Sequence, residues 1–197
     1  MPSIQYSSLP GAVFPLHVAV IADTHVPDRI PRLPDSLIET LRKMHPDWIF
    51  HAGDISLVSV LSELDAIAPT FAVKGNRDMI LKQDLPVNRR LLIGNSKVVL
   101  THGQGSLLRY ISDKLKYYKT GYDFDRYRRY FDKDFPEADL VIFGHTHTPV
   151  DIIIAGRHYF NPGACYPCKS NDFKPRFGWI EFLKSGKIKT RYIYFKE

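Results

Sequence analysis

The stretch VIFGHTHTP, Val141–Pro149, decides how this chain folds, because an apolar run ends at a glycine and two histidines follow at once. The apolar run has the composition of a buried strand, whereas His145 and His147 are too polar for a strand interior. Side chains of extended backbone alternate between two faces with a period of two, so we expect both imidazoles to point the same way from one strand end. Such a pair indicates a bound ligand at this position.

Four other apolar runs also end in residues that can bind a metal. They are followed by Asp23 and His25, by Asp54, by Asn76 and by His102, several of them beside a glycine that permits a sharp turn. Taken singly, such residues are typical of turns or of ordinary buried histidines. Their recurrence at strand ends favours a shared site, because the ligands of open α/β sheets gather at the carboxyl ends of the strands.

The combined residue set predicts a dinuclear metal centre. Three oxygen donors and four imidazoles are too many for one ion. They suit two divalent transition metals held roughly 3.5 to 4 Å apart, with one carboxylate between them. His145 and His147 would then each bind a different metal.

Composition places the chain among ordinary globular domains. It has 197 residues, of which 44% are hydrophobic and 24% charged, so we expect one domain over residues 1–197 with an irregular lead-in over 1–15. No apolar run reaches the roughly 18 residues of a membrane helix, and we expect a cytoplasmic protein without a membrane partner. The net charge of +6 favours an anionic partner.

The order of apolar runs and helical periods predicts the fold class. A β-α-β-α-β pattern in the first half and a strand-rich end indicate two sheets packed face to face with helices on the outside. The predicted strands are 16–22, 47–50, 70–73, 97–101, 140–143, 158–161, 177–183 and 188–195. The predicted helices are one that starts at Ser36, with Glu39 completing a capping box, and those at 57–67, 106–118 and 123–132.

Five motifs in this order resemble the calcineurin-like metallophosphoesterases: DTH (23–25), GD (53–54), GNRD (75–78), THG (101–103) and GHTH (144–147). Their short spacing is similar to that of the small single-domain phosphodiesterase branch. The resemblance runs from about Leu16 to the last strand and implies a four-layer sandwich of two mixed β-sheets and outer helices. It also implies hydrolysis of phosphate esters, most often diesters, by a hydroxide that bridges two metals.

The same resemblance assigns the ligands by motif. It implies one metal bound by Asp23, His25, Asp54 and His147, and a second bound by Asp54, Asn76, His102 and His145. Asp54 would bridge, and the catalytic set would comprise Asp54, Asn76, Arg77 and His102. Mn²⁺ is the expected metal in vitro, with Fe, Ni, Co or Zn as alternatives.

Two positions depart from the family pattern. Where many relatives have histidine or cysteine after Gly-Asn, this chain has Arg77, which cannot act as a general acid but can grip phosphate oxygens. The alternative for Arg77 is a surface salt bridge with Asp78. Lys169 lies about where relatives carry an arginine, so it too is a candidate for substrate binding.

Two further features stay open at this stage. Cys165 and Cys168 could form a redox pair or half a zinc site, but we interpret them as loop residues because no second cysteine pair exists.

Residues 109–133 hold eight Lys or Arg, four Asp and six Tyr. Helical spacing favours packing of the apolar residues against the core. The alternatives are a substrate-capping flap, an oligomer surface and nucleic-acid binding. The residues that the spacing places inward are Leu107, Ile111, Leu115, Tyr118, Phe124, Tyr127 and Phe131.

The sequence therefore favours a metal-dependent phosphodiesterase that acts on a phosphate ester. A protein-interaction scaffold on the same fold, a nuclease or RNA-processing enzyme, and a phosphomonoesterase are the alternatives. Oligomer formation is compatible with the sequence, although no heptad pattern indicates it.

Overall fold

A computed structural model describes residues 5–9, 11–80, 84–105 and 107–196 of the protein. The strands in these residues are, in chain order, β1 (Ser7–Ser8), β2 (Leu16–Ile21), β3 (Trp48–His51), β4 (Thr70–Ala72), β5 (Asn88–Ile93), β6 (Ser96–Thr101), β7 (Leu140–Ile142), β8 (Val150–Ile154), β9 (Arg157–Asn161), β10 (Arg176–Phe182) and β11 (Ile188–Tyr194). The α-helices are α1 (Asp35–Met44), α2 (Val58–Asp65), α3 (Leu107–Thr120) and α4 (Phe124–Asp134).

The strands form two mixed sheets, as the sequence predicted. The first has the order β1-β5-β6-β7-β9-β8 and the second the order β11-β10-β2-β3-β4. In the second sheet β2, β3 and β4 are parallel and β10 is antiparallel to β2. In the first sheet β6, β7 and β9 are parallel. The carboxyl ends of β2, β3, β4, β6 and β7, each followed by a candidate ligand, therefore reach one edge of the sandwich.

Three apolar clusters produce the layers. The inner faces of both sheets pack together through residues such as Val20, Phe50 and Leu100, all fully buried. Leu37 of α1 belongs to a cluster on the outer face of the second sheet, and Phe131 of α4 to one on the outer face of the first. Burial of these apolar faces on both sides of each sheet fixes the strand ends that carry the site.

Some local predictions were wrong. The helix α1 begins at Asp35 after Pro34, without the capping box expected from Ser36; the Ser36 hydroxyl instead donates to the carbonyl oxygen of Lys196. The sequence reading also missed strands β5 and β8, which include exposed positions such as Ile153, at 66% exposure. Each of these strands has a short apolar run, Leu91–Ile93 or Ile152–Ile154, next to polar residues, so its pattern is weaker than that of a strand buried on both faces.

The lead-in contains one short strand. β1 pairs in parallel with β5, with Ser7 opposite Leu91, and Phe14 packs against the core between the sheets. Among the described residues, none of the helices combines the length and the apolar character that crossing a membrane requires.

Candidate metal centre

All seven predicted ligands lie just beyond the carboxyl ends of strands and converge on one site. Asp23 and His25 follow β2, Asp54 follows β3, and Asn76 follows β4. His102 follows β6, and His145 and His147 follow β7. The second sheet thus supplies the oxygen donors and one imidazole, and the first sheet supplies the other three imidazoles.

The backbone at the site is not extended, contrary to the expectation for His145 and His147. Both residues have left-handed backbone, with φ of 68° and 56°, so each imidazole is aimed by a turn. Asp23, His25 and Asp54 are also left-handed, with φ of 54°, 49° and 56°. Non-glycine residues rarely adopt this conformation, which costs of order 1 kcal/mol or more each, and such residues cluster at functional sites.

Two glycines next to the ligands are required because atoms of another loop lie too close to leave room for a side chain. A Cβ atom on Gly75 would lie 2.2 Å from the Asp54 backbone nitrogen, which is inside van der Waals contact. A Cβ atom on Gly144 would lie 3.0 Å from Oδ2 of Asp23. These glycines let the loops after β4 and β7 press against the loops after β3 and β2.

The first group of ligand atoms surrounds the Nε2 atom of His25. This atom lies 3.1 Å from Nε2 of His147 and 3.5 Å from Oδ2 of Asp54. Nε2 of His147 lies 3.5 Å from Oδ1 of Asp23. Ligand atoms of Asp23, His25 and His147 all lie within 4.8 Å of one another, close enough to share one metal ion.

The second group surrounds the side-chain oxygen of Asn76. This oxygen lies 3.2 Å from Nε2 of His102 and 3.1 Å from Nδ1 of His145. Oδ1 of Asp54 lies 3.4 Å from Nε2 of His102. The two oxygens of Asp54 therefore face different groups, which is the arrangement of a carboxylate able to bridge two cations. Asp23 is also within reach of the second group, beside Asp54 and His102.

Hydrogen bonds leave the inward-facing ring nitrogens available as ligands. Nδ1 of His102 lies 2.6 Å from the carbonyl oxygen of Ala52; since a carbonyl only accepts, Nδ1 carries a proton, and Nε2 is the nitrogen that can bind a metal. Nδ1 of His147 lies 3.2 Å from the hydroxyl of Tyr166. The donor set of carboxylate, amide and imidazole fits two divalent transition metals.

Burial and neighbouring charges shift the pKa values of the site's histidines. Burial alone would lower the pKa of His147 and of His102, but the carboxylates of Asp23 and Asp54 outweigh it and raise these pKa values to about 10 and about 9. Burial and the charge of His102 lower the pKa of His145 to about 3. Cations bound here would displace the protons on His102 and His147, so metal binding should release protons.

Asp78 is a structural residue and not the salt-bridge partner that the alternative interpretation of Arg77 expected. Its side chain is fully buried and accepts four backbone N–H groups at 2.8 to 2.9 Å, from Asp54, Ile55, Ser56 and Gly75. It joins the loop after β3 to the loop after β4. The only sequence signal for Asp78 is its place in the GNRD motif.

Arg77 reaches the edge of the site from the following 3-10 turn. Its backbone N–H donates to Oδ1 of Asp54 at 2.8 Å, while its half-exposed guanidinium lies 3.6 Å from Oδ2 of Asp28. The expected alternative, a salt bridge with Asp78, was therefore wrong, and the guanidinium faces solvent where an anion could bind.

A buried His51–Thr24 pair supports the loops around the ligands. The backbone N–H of Gly53 donates to Nδ1 of His51 at 3.2 Å, so Nε2 carries the proton and donates to the Thr24 hydroxyl at 3.2 Å. That hydroxyl donates in turn to the carbonyl oxygen of Ile55 at 3.2 Å. Burial lowers the pKa of His51 to about 4, so it is neutral at pH 7.

The cysteine loop lies beside the site, although Lys169 does not. Cys165 and Cys168 are free thiols in the described residues; Cys165 is buried and Cys168 half-buried. The Cys168 thiol contacts the His147 imidazole. The Lys169 side chain is exposed and makes no ion pair or hydrogen bond to any described residue, so the structure does not bring it into the ligand cluster.

Helices α3 and α4 pack only partly as the helical spacing indicated. Tyr127 and Phe131 are buried as expected, but Leu115 and Tyr118 are 61% and 76% exposed, so their expected core packing was wrong. The side chains of 107 and 111 lie outside the described residues. A cleft of about 340 Å³ next to the ligands is bordered by four tyrosines, of which Tyr117 and Tyr118 belong to α3. Its lining comprises Arg29, Asp113, Tyr117, Tyr118, Tyr122, Tyr127, His145, Thr146 and His147.

The sequence of this chain matches a family model and is similar to known proteins. The family model described as the calcineurin-like phosphoesterase superfamily domain matches residues 16–181. A probable metallophosphoesterase from Methanothermobacter thermautotrophicus is 31% identical over 153 residues, which cover 75% of this chain and 76% of that protein.

The chain is also similar to proteins of vacuolar sorting. Vacuolar protein sorting-associated protein 29 from Schizosaccharomyces pombe is 26% identical over 148 residues, 75% of this chain and 71% of that protein. The crystal structure of wild-type Vps29 from Entamoeba histolytica, complexed with zinc, superposes with a TM-score of 0.69 at 23% identity. It covers 92% of this chain and 100% of that one, which shows the shared fold.

Proposed function

Because this chain belongs to the calcineurin-like phosphoesterase superfamily, we propose that it is a phosphodiesterase that uses two divalent metal ions. One ion would be held by Asp23, His25, Asp54 and His147, and the other by Asp54, Asn76, His102 and His145. The observation that carries the proposal is Asp54, whose two oxygens face Nε2 of His25 at 3.5 Å and Nε2 of His102 at 3.4 Å.

When bound, two such cations supply a nucleophile at neutral pH and stabilise charge on phosphate oxygens. The chain's own part is to hold its ligands in place through the buried hydrogen bonds of Asp78, His51 and Ala52. Arg77 would donate hydrogen bonds to a phosphate oxygen and stabilise the charge of the transition state. Since arginine keeps its proton, the leaving group must depart with little protonation.

Several finer points belong to the same proposal. Mn²⁺ is proposed as the activating metal in vitro, with Fe, Ni, Co or Zn as alternatives, since the ligand types restrict the ion without selecting one. Lys169 is proposed to contact a phosphate at the periphery of the site, for which its side chain would have to change rotamer toward the substrate. A cytoplasmic location is proposed because both described cysteines are free thiols.

An interaction scaffold is the second candidate, and the similarity to the vacuolar sorting protein favours it. The enzyme is preferred because all seven ligand positions are filled and converge. A nuclease is less favoured, because basic residues of α3 and α4, the aromatic helices, already pair with acidic residues. Arg109 pairs with Asp134 at 2.6 Å and Arg128 with Asp125 at 2.8 Å.

The test compares hydrolysis of bis-p-nitrophenyl phosphate and p-nitrophenyl phosphate by metal-stripped protein resupplied with Mn²⁺. We expect the diester to be cleaved faster and the activity to disappear in His145→Ala. His45→Ala is the matched control, since His45 also has left-handed backbone, φ 47°, but is exposed and distant from the ligand cluster. The proposal would be contradicted if His145→Ala kept the activity of the control, or if the monoester were hydrolysed faster than the diester.

Arg77 has its own test. Arg77→Ala should lower kcat/KM roughly tenfold or more on aryl and alkyl diesters, because one charged hydrogen bond to the phosphate contributes about 1.5–3 kcal/mol. Arg32→Ala is the control, since Arg32 is an exposed arginine that pairs with Asp35. Equal rates for Arg77→Ala and the control would show that Arg77 is not a phosphate ligand.

A further inference from the structure

The tyrosines of the cleft beside His145 and His147 are not among the proposed metal ligands, and we propose that this cleft binds a nucleobase of the substrate. The inference rests on the proposed function and narrows it to phosphodiesters of nucleotides. The cleft is continuous with the metal centre, because the ring of Tyr127 lies 6.2 Å from the ring of His145. A phosphate held at the ligand cluster would therefore place its nearest substituent among the tyrosines.

Two tyrosines of the cleft offer flat aromatic surface to solvent. Tyr117 and Tyr118 on α3 are 51% and 76% exposed, and their rings meet edge to face at 6.5 Å. Behind this exposed pair, the half-buried Tyr122 and the buried Tyr127 stack on each other at 6.1 Å with an interplanar angle of 28°. Aromatic side chains of this kind stack on nucleobases with little regard to sequence, because every base has a π face.

The polar groups of the cleft complement a nucleotide. Asp113 is 3% exposed, and its Oδ1 accepts a hydrogen bond from the Tyr130 hydroxyl at 3.1 Å. Its other oxygen has no hydrogen bond to a described residue and, as a carboxylate, can only accept, which suits the ring N–H or amino group of a base. The exposed Arg29 at the cleft adds a positive charge for phosphate.

The size of the cleft also favours a small ligand. A volume of about 340 Å³ lies at the lower end for sites that enclose small molecules. A protein partner would need a broader surface, on the order of 800 Å² per side. One base with its ribose, entering from the metal centre, is the occupant that the residues best match.

The binding test needs no turnover. Affinities of AMP and ribose 5-phosphate for the protein with Mn²⁺ are measured by calorimetry; the two ligands differ at C1′, where AMP carries adenine and ribose 5-phosphate a hydroxyl. We expect AMP to bind at least tenfold more tightly, and Tyr118→Ala to weaken AMP binding roughly fivefold to a hundredfold. The matched control is Tyr194→Ala, an exposed tyrosine of β11, which should leave AMP affinity unchanged.

A second variant tests the polar contact. Asp113→Asn keeps an oxygen that can accept from Tyr130 but removes the carboxylate charge, so the helix should retain its structure. We expect this variant to bind AMP at least fivefold more weakly. Wild-type affinity of Asp113→Asn for AMP would refute the role of that carboxylate, and equal affinity of the wild-type protein for AMP and ribose 5-phosphate would overturn the nucleobase site.

A kinetic comparison separates this inference from the proposed function. Thymidine 5′-p-nitrophenyl phosphate and methyl p-nitrophenyl phosphate share a leaving group, but only the first carries a base. We expect kcat/KM to favour the thymidine ester, and Tyr118→Ala to bring the ratio toward one. Hydrolysis of both esters at equal kcat/KM would refute the base site while leaving the phosphodiesterase intact. Hydrolysis of neither, with AMP still bound through Tyr118, would refute the phosphodiesterase alone.

Discussion

Removal of the Asp78 carboxylate should destabilise the protein and weaken its metal centre together. Asp78 accepts N–H groups from Asp54, Ile55, Ser56 and Gly75, all at 2.8 to 2.9 Å. A buried N–H group without an acceptor costs at least about 1 kcal/mol, so Asp78→Ala, which strips four of them, should cost at least about 4 kcal/mol. That is a large share of the roughly 5–15 kcal/mol by which domains are stable.

Asp78→Asn is the variant that should still fold well enough to measure. It retains one oxygen for Ile55 and Ser56 but turns an amide N–H₂ toward the N–H groups of Asp54 and Gly75. Two lost hydrogen bonds predict a loss of about 2 kcal/mol in the free energy of unfolding. Mn²⁺ affinity should fall roughly tenfold to a hundredfold, because the loop that presents Asp54 is no longer held.

The assay is urea unfolding of metal-free protein, followed by circular dichroism, with Mn²⁺ titration by calorimetry on the same samples. Asp35→Asn is the matched control, since Asp35 is 68% exposed and pairs only with Arg32 at the surface. This control should change the free energy of unfolding by less than about 1 kcal/mol. The reasoning would be refuted if Asp78→Asn unfolded at the same urea concentration as Asp35→Asn and bound Mn²⁺ like the wild type.

Two other predictions follow from hydrogen bonds of single side chains. Tyr166→Phe removes the hydroxyl that lies 3.2 Å from Nδ1 of His147, and should weaken Mn²⁺ binding roughly tenfold in calorimetry without unfolding the protein; unchanged affinity would show that this hydroxyl does not orient the ligand. Burial would raise the pKa of Asp151, but hydrogen bonds from His158 and Thr190 outweigh it and lower that pKa. Its stabilisation is therefore present above the unfolded pKa of about 4 and is lost as the pH falls through the folded pKa. Asp151→Asn should accordingly be less stable than wild type at pH 7, by roughly 1–2 kcal/mol in urea unfolding, and a difference that did not shrink as the pH fell below about 4 would contradict the explanation.

The positions of the ligands could be predicted because each follows an apolar run. Periodicity locates a buried strand, and the strand's end locates the edge of its sheet. The direction in which each ligand side chain points could not be predicted in the same way. His145 and His147 converge through left-handed turns, not through the alternation of extended backbone, and turn conformation at a non-glycine residue has only a weak sequence signal.

Asp78 shows why the supporting residues were harder to find. The GNRD motif places a carboxylate beside an arginine, and local sequence favours an ion pair between them. In the structure the Asp78 side chain turns inward, because the loop after β3, about 23 residues earlier in the chain, brings three N–H groups to it. A contact of this sequence separation is set by the packing of β3 against β4.

The aromatic helices mark another limit of sequence patterns. Apolar residues at helical spacing indicate one face of a helix that is out of water, and a buried core is the common reason. That reason holds for Tyr127 and Phe131 of α4, whereas Tyr118 of α3 borders a cleft. The period is the same in both cases, so only the position of α3 relative to the sheet distinguishes them.

The central claim, two cations that share Asp54, is tested most directly by anomalous X-ray diffraction from crystals of the protein grown with Mn²⁺. We predict two anomalous peaks roughly 3.5 to 4 Å apart, with one oxygen of Asp54 directed at each or a single oxygen between them. His145 should contact only the peak beside Asn76, and His147 only the peak beside His25. A single peak, or two peaks without Asp54 between them, would contradict the account.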